Sequence, residues 1–295
     1  MKPRLPDFIG IGAPKAGTTW LAGVIARHPD VFMPAIKETH FFDYPYDQYP
    51  FSKYEEFFSA AAPGQIVGEF STDYLASAAA PARIHRHLPG VKLIAVLRDP
   101  VGQVYSNYWH ALRQGFNCSD RSMPDFETAL VRHRGQLLEP GFYGRHLERW
   151  LAVFPRRQML ILFYDDIELD PAAVIRSVED FLGLRPVAAA GAGEARGGGE
   201  RQGVAPRSGW LGRIYTRLYF AANRWVLQPI SRRMGYETAG RLIQRLRLRR
   251  IGEHLFFQRG YPPLPPELRA RLVAIYRDDR AVLEGITGRD LSSWT

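Results

Sequence analysis

The chain has 295 residues, enough for one large domain with a sizeable core. Its 46% hydrophobic and 23% charged content excludes a wholly disordered chain or a coiled coil. The net charge of +9 is local: residues 207–259 hold 12 Arg, no Lys and two Glu, so the rest of the chain sums to −1, which argues against a general nucleic-acid-binding fold.

The N-terminal residues before Phe8 contain no apolar stretch, so no signal peptide is expected, and no run of about 18 apolar residues suggests a membrane-spanning helix. Phe8–Gly12 is a short apolar run ending in glycine and reads as a buried strand. Helical spacing follows over residues 18–27. Residues 31–33 look strand-like, and 65–70 give a second strand. Helical patterns occupy 79–88, 100–114, 126–134, 143–154 and 171–182, and strands are expected at 92–97 and 159–164. Apolar strands alternating with helices predict an α/β fold with a central parallel sheet covered on both faces. Cys118 is the one cysteine, so no internal disulfide can form, which fits a cytoplasmic protein.

Residues 187–206, rich in Ala and Gly, read as a linker within a single domain spanning 1–295. Leu211, Ile214, Leu218 and Trp225, then Leu242, Ile243 and Leu246, recur at helical spacing among arginines. They predict a basic amphipathic helical insertion over 207–255, either a cap on the fold or a peripheral contact with an anionic membrane. The Pro-rich run from Pro262 to Pro266 stops any helix, and a last helix is expected over 267–283.

Gly12-Ala13-Pro14-Lys15-Ala16-Gly17-Thr18-Thr19 has the G-x-x-x-x-G spacing of a phosphate loop between a strand and a helix. Glycines let backbone N–H groups face an anion, and the helix start adds its positive dipole end. A nucleoside triphosphatase needs lysine where Thr18 stands, and no Walker B aspartate follows 92–97, which runs into Arg98. The loop suits a phosphate better than a magnesium triphosphate. Arg98-Asp99-Pro100 marks a second strand end, with Asp99 as helix cap and Arg98 free to bind a terminal phosphate. Lys37-Glu38-Thr39-His40-Phe41-Phe42-Asp43 offers a carboxylate and an imidazole on one side of an extended segment, suited to general-base work.

The string Ala13 to Trp20 resembles the 5′-phosphosulfate loop of sulfotransferases that use 3′-phosphoadenosine 5′-phosphosulfate (PAPS), above all the heparan-sulfate-type and related bacterial enzymes. The resemblance implies a P-loop-like three-layer αβα fold, PAPS as co-substrate, PAP as product and no metal. It implies that Lys15, Ala16, Gly17, Thr18 and Thr19 hold the 5′-phosphosulfate, with Lys15 also stabilising the leaving group. Arg98 and Ser106 would hold the 3′-phosphate, and Arg259 and Gly260 would belong to a loop closing over the nucleotide. Trp20 resembles the aromatic stacked on adenine, although its spacing with Val24 suits a core position equally. Glu38 would be the general base, with His40 as helper or alternative base. Phe70 stands where the heparan-type segment has a lysine, and Thr19 where an arginine is usual. The expected acceptor is a carbohydrate, glycolipid or small molecule, attacked at a hydroxyl or amine, with no nucleic acid as partner. A P-loop kinase or a non-catalytic anionic-ligand or membrane-binding protein are the competing readings.

Overall fold

A computed structural model of the chain describes residues 4–44, 46–114, 125–187, 204–207, 210–211, 214–215, 218 and 255–295. The chain divides into two compact units. The first comprises Met1–Val104, Gly135–Gly198 and Pro265–Thr295, the second Tyr105–Arg134 and Gly199–Leu264.

The first unit is built on a five-stranded parallel sheet of β1 (Phe8–Gly12), β2 (Val31–Phe32), β3 (Ile66–Phe70), β4 (Lys92–Leu97) and β5 (Met159–Phe163), in the order β2-β3-β1-β4-β5. Every residue of β1 and nearly all of β4 are buried, as strands covered on both faces require. Phe8 and Phe70 meet edge to face at 6.3 Å across β1 and β3. Gly10 and Gly68 leave the room: a Cβ on either would stand within 2.1 Å of the opposite ring.

The crossovers carry α1 (Thr18–Ile25), α2 (Ser52–Glu56), α3 (Ala80–His87), α4 (Pro100–Gln114), α5 (Phe126–Arg132), α6 (Arg134–Leu137), α7 (Tyr143–Leu151), α8 (Tyr164–Leu169) and α9 (Pro171–Leu182). The last helix, α10 (Pro266–Thr287), was expected over 267–283; it takes in Pro266 as its first residue, where the missing N–H costs nothing, and runs one turn further. Asp279 of α10 accepts from the backbone N–H groups of Gly144 and Arg145, at 2.8 and 2.9 Å, and so caps α7. Trp150 of α7 is fully buried and donates to the Leu75 carbonyl at 3.1 Å.

The second unit contains the distal part of α4, α5, and an antiparallel pair of β6 (Val204–Pro206) and β7 (Phe257–Arg259). Val204–Pro206 thus belongs to a strand where a linker was expected. The earlier part of that linker and the second basic helix, around 241–249, lie outside the described residues.

The chain leaves β1 towards the β3 and β2 side and leaves β4 towards β5, so the direction of winding switches between β1 and β4. The carboxyl ends of β1, β3 and β4 therefore frame a crevice of the kind where open α/β sheets bind ligands.

Candidate active site

At the end of β1 the chain turns sharply. Gly12 has φ +152°, Lys15 +64° and Gly17 +91°. The Ala13 N–H donates to the Val96 carbonyl at 2.8 Å, which ties the turn to β4. Gly17 is the N-cap of α1, with no side chain capping it and no acidic residue in the first turn. The helix start is therefore positive and carries no competing carboxylate, as an anion site requires. Thr18 is buried, while Lys15 and Thr19 are half-buried. Trp20 is half-buried and packs against the core.

Arg98 follows directly on β4; its Nη1 donates to the Lys15 carbonyl at 3.3 Å, and its guanidinium lies 4.6 Å from the Tyr164 ring centre. Asp99 caps α4 through the N–H groups of Val101 and Gly102 and accepts from Arg269 at 3.1 Å. Gln103, one turn along, donates to the Pro14 carbonyl at 3.3 Å, and its buried Oε1 has no partner. The strand end and the loop are thus bonded directly at Lys15 and Pro14. Gln103 and Tyr164 were missed in the sequence, since neither sits in a motif.

The third part is the segment 37–43, which is bent and not extended. His40 lies at φ +52°. The bend still brings the two expected groups together: His40 Nε2 is 3.5 Å from Glu38 Oε2. The Lys37 ammonium pairs with Glu38 Oε1, and Thr72 donates to Oε2 at 3.0 Å. Burial alone would raise the Glu38 carboxyl, but hydrogen bonds from His40, Lys37 and Thr72, with the Lys37 charge, hold it down at about 2. Hydrogen bonds to Asp43 and Glu38 push His40 up to about 10 against the effect of its burial. His40 Nδ1 is 3.0 Å from Asp43 and 3.9 Å from Asp73. These three groups could crowd round a cation, but an imidazolium with a carboxylate at each nitrogen is itself the cation.

Two anchors fix this segment. Phe41 and Phe42 sink into a cluster with Tyr46, Phe51, Tyr54 and Tyr74, with ring centres about 5–6.5 Å apart. Glu69 of β3, fully buried, accepts from Thr39 at 2.8 Å, Ser71 at 2.9 Å, Tyr54 at 2.8 Å and Tyr74 at 3.4 Å. Burial raises its carboxyl, offset in part by those hydroxyls. Ser71 Oγ in turn accepts from the His40 N–H at 3.1 Å.

Thr72 joins the parts. Its hydroxyl holds Glu38, and its carbonyl lies 2.7 Å from where a Gly12 Cβ would stand. The Leu75 N–H also donates to the Ile11 carbonyl at 2.8 Å. The turn after β3 therefore carries the carboxylate against the start of the phosphate loop.

The remaining expected residues belong to the second unit. The Ser106 hydroxyl meets the Tyr261 hydroxyl at 3.2 Å. Tyr105 donates to the Pro262 carbonyl at 2.9 Å, and Trp109 stacks on Tyr261 at 5.9 Å. Arg259 ends β7, and Gly260 turns with φ +82°.

A sequence model described as the sulfotransferase domain matches residues 5–190. The chain is 35% identical over 192 residues to the human heparan sulfate glucosamine 3-O-sulfotransferase 3B1, across 62% of this chain and 47% of that protein. It is 32% identical over 200 residues to the human bifunctional heparan sulfate N-deacetylase/N-sulfotransferase 3, across 62% of this chain and 23% of that protein. The chain thus spans less than half the length of these two curated relatives. A crystal structure of a sulfotransferase from Alicyclobacillus acidocaldarius shares the fold, with a TM-score of 0.66 at 23% identity over 99% of each chain. The family match runs through the phosphate loop, the Glu38 segment and the Arg98 strand end, and the chain belongs to the sulfotransferase domain family.

Proposed function

We propose that the chain transfers a sulfuryl group from PAPS to a hydroxyl or amine of a glycan, glycolipid or small-molecule acceptor, releasing PAP. The observation that carries this is Thr72, which ties a carboxylate to the phosphate loop. A phosphate-binding fold that only held nucleotide would have no use for an anchored base beside it.

The residues fit the donor. The uncapped start of α1 and the Lys15 side chain suit the 5′-phosphosulfate, and the Arg98 fork suits a phosphate dianion. As the acceptor oxygen forms its bond to sulfur, the bond from sulfur to the phosphate oxygen breaks and the acceptor proton must leave. Glu38 takes that proton. Lys15 balances the charge growing on the leaving phosphate. His40 is protonated near neutral pH, so it favours the role of helper, steadying Glu38, over that of alternative base. Ser106, Arg259 and Gly260 stay as proposed contacts to the 3′-phosphate and the nucleotide. The relatives named for heparan sulfate favour a glycan acceptor, while the buried Phe70 argues against recognition identical to theirs.

Calorimetry with PAP, against ATP with Mg²⁺, tests the donor site: tight ATP binding without PAP binding would overturn the reading. With an acceptor found by screening radiolabelled PAPS, Glu38→Gln should lower kcat by about 10²–10⁴ while leaving PAP affinity unchanged.

A peripheral membrane contact has support of its own. Among the described residues no helix is long and apolar enough to cross a membrane. Trp210, Ile214 and Leu218 are helical at a spacing of four and are 58%, 38% and 57% exposed, within a segment that the sequence makes strongly cationic. An apolar stripe amid arginines suits an anionic bilayer surface. The chain should float with vesicles containing phosphatidylserine and not with pure phosphatidylcholine. Serine at all three positions should abolish flotation, and failure to float with either vesicle would sink the idea.

A further inference from the structure

We propose that Lys37 is a positioning residue that gates Glu38, holding the carboxylate in the resting site and leaving it for the sulfonate oxygens of the bound donor. This rests on the proposed sulfuryl transfer and deepens it. Glu38 Oε1 takes the Lys37 ammonium, its Oε2 takes the Thr72 hydroxyl, and His40 stands 3.5 Å from the same oxygen. A carboxylate so engaged is a poor proton acceptor, because each cation near it favours the ionised form. One cation must withdraw before the acceptor proton can be taken up well.

The groups facing Glu38 differ in their freedom to move. Thr72 belongs to the short turn packed on Gly12. His40 is held at its backbone by Ser71 and at its ring by Asp43, with Asp73 close behind. Lys37 is held only at its backbone, where its carbonyl accepts from the Phe70 N–H at 3.3 Å. Its side chain is 26% exposed and, among the described residues, pairs with Glu38. An ammonium on a flexible four-carbon stem can exchange one oxyanion for another, as a fixed imidazolium cannot. The donor brings such an oxyanion, because the sulfuryl group carries anionic oxygens while its bond to the phosphate is intact.

The exchange balances. Lys37 moves from carboxylate to sulfonate, and Glu38 is left to accept a hydrogen bond from the acceptor. The acceptor proton passes to Glu38 as the new O–S or N–S bond forms, and the electron pair of the breaking S–O bond stays on the phosphate. After product release Glu38 returns its proton to solvent and the ion pair re-forms.

The direct test is a carboxyl titration by ¹³C NMR on glutamate-labelled protein, with the Glu38 signal assigned through Glu38→Gln. The full chain is compared with Lys37→Ala and Lys37→Arg, alone and with PAPS in the absence of acceptor. The wild-type midpoint should rise on adding PAPS. Lys37→Ala should start higher and respond little, and Lys37→Arg should resemble the wild type at rest. An Ala variant that titrates and responds like the wild type would overturn the proposal. PAP calorimetry on all three keeps the readings apart: absence of PAP binding counts against the sulfotransferase assignment, whereas an unchanged resting titration counts against the gate alone. With a working acceptor, Lys37→Ala should lower kcat about a hundredfold with KM for PAPS little changed, and should move the acid limb of the kcat/KM profile, which reports the enzyme before donor binds, upward. Arginine at 37 should restore part of the rate. An unaltered kcat and acid limb in Lys37→Ala would also overturn the gate.

Discussion

Gly12 shows how much one missing methyl group can decide. A Cβ there would stand 2.7 Å from the Thr72 carbonyl and 2.8 Å from Leu75, at a φ of +152° that residues with a side chain avoid. Gly12→Ala must therefore push the turn after β3 away from the loop. It should lower stability by about 1–3 kcal/mol in denaturant melts and weaken PAP binding in calorimetry by about tenfold or more. The glycine spacing was legible in the sequence, because a phosphate loop is a local pattern. Glu38 and His40 were legible too, as a string, although the reason that they meet was not. Period-two alternation suggested an extended segment, whereas the contact comes from a bend with His40 in the left-handed region. Glu69 was not legible as an anchor. A glutamate in a strand reads as an exposed edge, and only the fold gathers hydroxyls from Thr39, Tyr54, Ser71 and Tyr74 about it.

At the level of elements, helix starts govern the first unit. Asp99 and Pro100 spell out the beginning of α4 in two letters, and the structure starts the helix there. The start of α7 carries no such spelling. Its cap is Asp279, 135 residues away on α10. Asp279→Ala leaves the Gly144 and Arg145 N–H groups without that carboxylate and should cost about 0.5–2 kcal/mol, read as a lower midpoint in urea with the slope unchanged. The short pair of β6 and β7 escaped the sequence for another reason. Three residues ending in proline carry too little alternation to distinguish a strand from a linker.

For the molecule as a whole, the ion pairs around Glu38 link stability to pH. Glu38 is depressed from 4.5 to about 2, so its contribution is complete above pH 4.5 and is lost as pH falls through 2. His40 is raised from 6.5 to about 10, so its contribution is complete below pH 6.5 and is lost as pH rises through 10. The difference in Tm between the wild type and His40→Gln should thus shrink steadily from pH 6.5 to pH 10. A difference that stays constant over that range would contradict the pairing. The charge of the chain as a whole points elsewhere: its excess lies in residues 207–259, so the Glu38 site answers to its own neighbours and not to the net +9.

The contact between Thr72 and Gly12 has a consequence for how the proposed transferase could be re-engineered. The spacing between Glu38, the proposed base, and the loop after β1 is set by Thr72, which lies against the loop with its carbonyl and holds the carboxylate with its hydroxyl. A library aimed at bulkier nucleophiles would do better to keep Thr72 and Gly12 and to vary Ile36 and Tyr44, exposed residues that flank the 37–43 segment in sequence.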